Sequence, residues 1–203
     1  MSTRERLTDA MAALLWERGY AATSPNEVMA RAGVGQGSMY HHFSGKHELA
    51  VAAFRGAIDT LIAESGVLAG EGTPVERIER YLAQPRPGTK GCRVGRMTQD
   101  PQVVQDPELL ALVAGAFDTV AARWTQAITE AVAAGELPAS TVPGDLALTL
   151  SAVLQGGYVL ARAKGSQAPM DAAVRGAVAL LEAARAAAAR PQPRTTPSIE
   201  ECS

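Results

Sequence analysis

The chain has 203 residues, 47% of them hydrophobic, with a formal net charge of −2. It is long enough to bury a real core in one or two domains, and it lacks the global basic signature of a protein that grips nucleic acid by bulk charge. Only 3 Phe, 4 Tyr and 2 Trp stand among many Ala and Leu residues, a balance that favours an all-α fold. No uninterrupted apolar run approaches the roughly 20 residues that span a bilayer, and the polar start MSTRERLTDA is unlike a signal peptide, so a cytoplasmic protein without a membrane partner is expected. Cys92 and Cys202 lie too far apart in sequence to suggest a disulfide framework or a cysteine-rich metal site, and no metal or cofactor is implied.

Ser2-x-x-Glu5 is a capping box, and Leu7, Met11, Leu14 and Leu15 recur on one helical face until Gly19, which predicts a first helix over residues 3 to 18. Ser24-Pro25-Asn26-Glu27 combines an N-cap serine, a proline at the first helical position and a glutamate three residues after the cap. The short helix it opens ends at Gly33. Gly33-Val34-Gly35 then forms a tight turn whose glycines can take positive φ, and a third helix runs from Gln36 to Phe43. Met39 and Phe43 face inward on this helix, leaving Gln36, Gly37, Ser38, Tyr40, His41 and His42 on its other sides. After Ser44-Gly45 a long fourth helix carries Leu49, Ala53, Phe54, Ile58, Leu61 and Ile62.

Two short helices joined by a glycine turn and backed by a longer one make a helix-turn-helix. The run from Ser24 to Leu49 resembles the DNA-binding signature of the TetR family of bacterial regulators, through Ala30-Arg31-Ala32-Gly33-Val34, Gly37-Ser38-Met39-Tyr40-His41-His42-Phe43 and Lys46-x-Glu48-Leu49. It covers about a quarter of the chain. Gly35 departs from the serine-like cap usual in the family, so the recognition helix starts without a side-chain cap and lacks one phosphate contact. The resemblance implies that the third helix enters the major groove, where Gln36, Gly37 and Ser38 read base edges. It also implies that Tyr40, His41, His42 and Lys46 hold the sugar-phosphate backbone, with Thr23 and Ser24 donating to phosphate at the start of the second helix. Packing within the three-helix unit is the other reading of Tyr40 and His42. Residues 1 to 61 hold six Lys or Arg and six Asp or Glu, so DNA affinity must come from where these groups point.

Thr73-Pro74-Val75-Glu76 starts another capped helix, and Cys92 to Met97 reads as a short helix kept apart by Pro101 and Pro107. From Asp106-Pro107 a long helix carries the stripe Leu109, Val113, Phe117, Val120, Trp124, Ile128 and Ala131 until Gly135. Helices over about 143 to 164 and 169 to 189 form an antiparallel pair with more apolar surface than one protomer covers. The family resemblance implies that this pair makes a four-helix dimer interface. The division expected is a DNA-binding domain over 1–48 with its motif at 24–43, an effector-binding and dimerisation domain over 49–190, and a disordered tail over 191–203.

Candidate walls of an effector pocket are Ile58, Ile62, Met97, Phe117, Val120, Trp124 and Leu154, with Arg96, Gln155 and Tyr158 as polar anchors. The reading is a ligand-responsive, homodimeric repressor released from a palindromic operator by a small molecule, the fourth helix linking pocket to DNA. An activator of the same fold and a helical ligand-binding module without DNA binding are the alternatives. The sequence has no nucleophile elbow, P-loop or metal-ligand spacing, so an enzyme is not expected.

Overall fold

The computed structural model describes residues 1–190, so the disorder expected for 191–203 concerns residues outside the described part. The starts of the first two helices follow from their caps. In α1 (Thr3–Arg18) the Ser2 hydroxyl accepts the Glu5 N–H while the Glu5 carboxylate accepts the Ser2 N–H, and Ser24 with Glu27 repeats the box at α2 (Pro25–Ala32). Gly33 ends α2 at φ +62°, a left-handed conformation that a side chain would strain. Gly35 does not share that role. It sits at φ −76° as an ordinary extended N-cap of α3 (Gln36–His42), with no side-chain cap bond.

The fourth helix, α4 (Lys46–Glu64), runs into a 3₁₀ turn at Ser65–Ala69, and α5 (Pro74–Ala83) opens on the Thr73/Glu76 box. Residues 92–97 do not form the expected helix; the chain instead makes a 3₁₀ turn at Gly95–Gln99 and then a five-residue helix, α6 (Pro101–Gln105). Asp100 and Asp106 cap α6 and α7 (Pro107–Ala133) in the same way, each ahead of a proline at the first helical position. The last two helices are α8 (Pro143–Lys164) and α9 (Ala168–Ala188).

Among the described residues two cores form, and α7 contributes to both. The first joins α1, α3 and the leading half of α4 to Val94, Met97, Val103, Leu109, Val113 and Ala116; the second joins α5, the rest of α7, α8 and α9. The boundary expected at residue 48 falls inside the first core, because Leu49, Ala50, Ala53 and Phe54 pack with α1. Helix α8 is long and apolar enough by length and composition to cross a membrane, which a search for uninterrupted apolar runs missed because Gly, Gln and Thr punctuate it. It packs between α7 and α9. Leu148, Val159 and Leu160 of α8 and Leu180 of α9 nevertheless remain 55–73% exposed.

Candidate nucleic-acid interface and ligand cavity

Helix α3 is held by two residues. Met39 and Phe43 are fully buried against α1 and α4, and this pins a seven-residue helix too short to be stable alone. Gln36, Gly37, Ser38 and His41 are consequently left in solvent, with Tyr40 51% exposed. His42 is half-buried, its ring edge-on to His41, while its carbonyl accepts a bond of 3.3 Å from Arg4. The Arg4 guanidinium also lies 4.5 Å over the Phe43 ring, so α1 clamps the end of α3 through a residue that motif reading passed over.

Three expected phosphate donors are engaged inside the protein. Thr23 is buried, donating its hydroxyl to the Gly19 carbonyl at 2.7 Å and its N–H to that of Tyr20, so it has no donor to offer DNA. Ser24 is occupied by its box with Glu27. The Lys46 ammonium lies 4.0 Å over the Tyr20 ring, half-buried, and burial pulls its pKa down against the opposing pull of Asp100. Motif position fixed which residue stands there but not which way its flexible stem turns. Arg18 pairs with Glu27 at 2.5 Å and Arg31 with Glu17 at 2.6 Å, so these cations brace α1 against α2.

On the far side of α1 the segment 91–100 joins this unit to the C-terminal helices. Trp16 donates its indole N–H to the Gly91 carbonyl at 3.0 Å, and Arg96 donates to the Trp16 carbonyl. The Ala21 N–H reaches Asp100 at 2.9 Å, close against Gly19, where a Cβ would stand 2.7 Å from the same carboxylate. His47, in the first turn of α4, lies 2.9 Å from the α7 cap Asp106.

The segment also walls a cavity of about 670 Å³, completed by Phe117 of α7 and by Gln155, Tyr158, Val159 and Arg162 of α8. Arg96, Phe117, Gln155 and Tyr158 are brought together there as the sequence suggested. The other candidates are not. Ile58, Val120, Trp124 and Leu154 are core residues, Ile62 packs on the first core, and Met97 lines a separate space of about 190 Å³ between α1 and α4. Trp124 is fully buried, edge-on to Tyr81. Burial raises the Tyr158 pKa, so near neutral pH its phenol keeps its proton and can donate. Sequence reading missed Thr98, Gln99 and Arg162 on this wall, although Gln155, Tyr158 and Arg162 stand at positions i, i+3 and i+7 of one α8 face.

Residues 7–53 match the family described as "Bacterial regulatory proteins, tetR family", and residues 74–177 match "Tetracyclin repressor-like, C-terminal domain". The chain belongs to the TetR family. Its relatives include the transcriptional regulator AcuR of Cereibacter sphaeroides, 32% identical over 142 residues that cover 66% of this chain and 64% of AcuR. The repressor KstR2 of Mycobacterium tuberculosis is 35% identical over 79 residues, or 38% of this chain and 40% of KstR2. Both matches span less than two thirds of the relative's length. Among solved structures, a TetR transcriptional regulator from Chloroflexus aurantiacus superposes with a TM-score of 0.78 at 28% identity, covering 89% of this chain and 94% of that one. The matched N-terminal region lies on α1–α4 and the matched C-terminal region on α5–α8 and the first half of α9, and segment 91–100, within the latter, ties the two together.

Proposed function

We propose that this TetR-family regulator is a repressor that binds a two-fold operator as a homodimer and leaves it when a small molecule fills the cavity between segment 91–100, α7 and α8. The observation that carries the reading is the double duty of segment 91–100, which lines the cavity through Arg96 and holds α1 and the α1–α2 loop through Arg96 and Asp100. A ligand that prefers another setting of this segment shifts the population away from the spacing of recognition helices that DNA accepts. Four-helix packing of α8 and α9 against their copies would cover Leu148, Val159, Leu160 and Leu180. The name of the KstR2 relative, a repressor, supports the sign of the regulation.

The test begins with selection of the operator from a random DNA library. Gln36→Ala then relaxes base preference at a defined operator position by roughly 1–3 kcal/mol. Tyr40→Phe, which removes a phosphate donor, weakens binding to all sequences alike. An unchanged selected motif for Gln36→Ala would remove α3 as the reading element.

A further inference from the structure

Lys90, Arg93, Arg96 and Arg162 converge beside the junction and line two adjoining cavities, of about 530 and 670 Å³, that share Arg96 and Arg162. Among the described residues the ion pairs engage Arg18, Arg31, His47 and Arg77, and none of these four cations. Among the described residues the one carboxylate on either lining, Glu17, is already held at both oxygens by Arg31 at 2.6 Å. Lys90 and Arg93 rest 5.1 and 4.1 Å from the Trp16 ring centre. Among the described residues no hydrogen bond or ion pair engages the Arg162 guanidinium, although its backbone carbonyl accepts the Gly165 N–H at 3.2 Å. Gathering like charges in a partly enclosed space is unfavourable without a counter-charge, and a chain of net charge −2 could have supplied one.

The bond from Arg96 gives the cluster a mechanical consequence. Trp16 lies in the last turn of α1, where carbonyls have no partner within the helix, and Arg96 supplies one from across the junction. A guanidinium has five N–H donors in a planar fork that matches an oxyanion, so an anion in the cavity competes for the same group.

We propose that the larger cavity takes a small organic anion, its oxyanion head between Arg96 and Arg162 and its apolar body against Phe117 and Val159, and that Arg96 transmits occupancy by loosening its hold on α1. The anion site stands on its own; the transmission rests on the ligand-released reading above.

The experiment compares three probes of one chain length, hexanoate, hexyl phosphate and hexanamide, by thermal melting of the full chain. At about ten times Kd an anion raises Tm by roughly 3–5 °C while the neutral amide does not, and the larger of the two anion shifts identifies the head group. Arg162→Gln, at an exposed position, leaves the unliganded Tm unchanged and abolishes the shift. Equal stabilisation by hexanamide, no shift with either anion, or a full shift in Arg162→Gln overturns the anion site. Operator titration with the stabilising anion is the second arm. Weakened DNA binding in the wild type, lost in Arg162→Gln, supports transmission, whereas a melting shift with unchanged operator affinity overturns transmission and the ligand-released reading while the anion site stands.

Discussion

In the N-terminal unit most polar groups find partners close in sequence: Ser2 with Glu5, Ser24 with Glu27, Arg18 with Glu27 and Glu17 with Arg31 all lie within 14 residues, and the clamp from Arg4 to the His42 carbonyl, 38 residues apart, is the exception. Around the junction the partners are remote. Trp16 and Gly91 are 75 residues apart, Ala21 and Asp100 79, and Arg96 and Trp16 80. The first region is thus specified by local motifs and turns its remaining polar side chains outward. The second exists only once the chain has folded, and it turns cations inward. A unit held by local partners can be recognised from a short string of residues, but a cavity walled by remote ones has to be assembled.

The comparison can be broken first at the outer face of the assembled half. Leu148 and Leu180 are 70% and 73% exposed, so glutamate at either leaves the protomer's own fold intact. In a two-fold interface each substitution buries the charge twice, at roughly 3–5 kcal/mol for each unpaired charge. Leu148→Glu and Leu180→Glu should be monomeric by sedimentation at micromolar concentration, and a persistent dimer would move the interface off α8 and α9. Next comes the local half. Phe43→Ala removes one of the two residues that seat α3 and should cost about 3–5 kcal/mol in denaturant unfolding, with operator binding lost. A smaller loss would mean that Met39 and the Arg4 clamp hold α3 without the ring.

The smallest effect sharpens the line between the halves, at the cap where α4 meets α7. The Asp106 carboxyl is held below its ordinary pKa, chiefly because it accepts the Leu109 N–H, with desolvation opposing and His47 adding to the lowering. A depressed carboxyl pKa stabilises the fold above the ordinary value, about 3.9, and this contribution disappears as pH falls through the folded value. Asp106→Asn keeps a capping acceptor that does not titrate. Its Tm should therefore fall less steeply than wild type on acidification below about pH 4, while sitting slightly lower above that pH for want of a carboxylate charge at the α7 N-terminus. Parallel curves would place the acid sensitivity elsewhere.

Much of the architecture was legible because many of the helices announce themselves. Capping boxes at Ser2, Ser24 and Thr73, and Asp106-Pro107, marked starts that the fold keeps. Asp100-Pro101 carries the same signature, yet α6 went unread because five residues are too few for periodicity. In the N-terminal unit the pattern named the two inward anchors of α3, Met39 and Phe43, but not the rotamers that turn Lys46 onto Tyr20 and Thr23 toward Gly19. In the cavity Arg96, Gln155 and Tyr158 were found because a polar side chain on an apolar face calls for a reason. Val120, Trp124 and Leu154 failed as candidates because an apolar stripe on a helix buried by its neighbours is packing first.

The two tryptophans occupy opposite environments. Trp124 is fully buried in the second core, whereas Trp16 is half-buried at the junction with Arg93 and Lys90 close to its ring and Gly91 on its indole N–H. Indole emission depends on local polarity and on nearby charge, so the chain carries one fluorophore set in a dry interior and another where its halves touch. With Trp124 replaced by Phe, the remaining light comes from the contact between α1 and segment 91–100, and the separation of the two halves becomes an optical signal that needs no attached label.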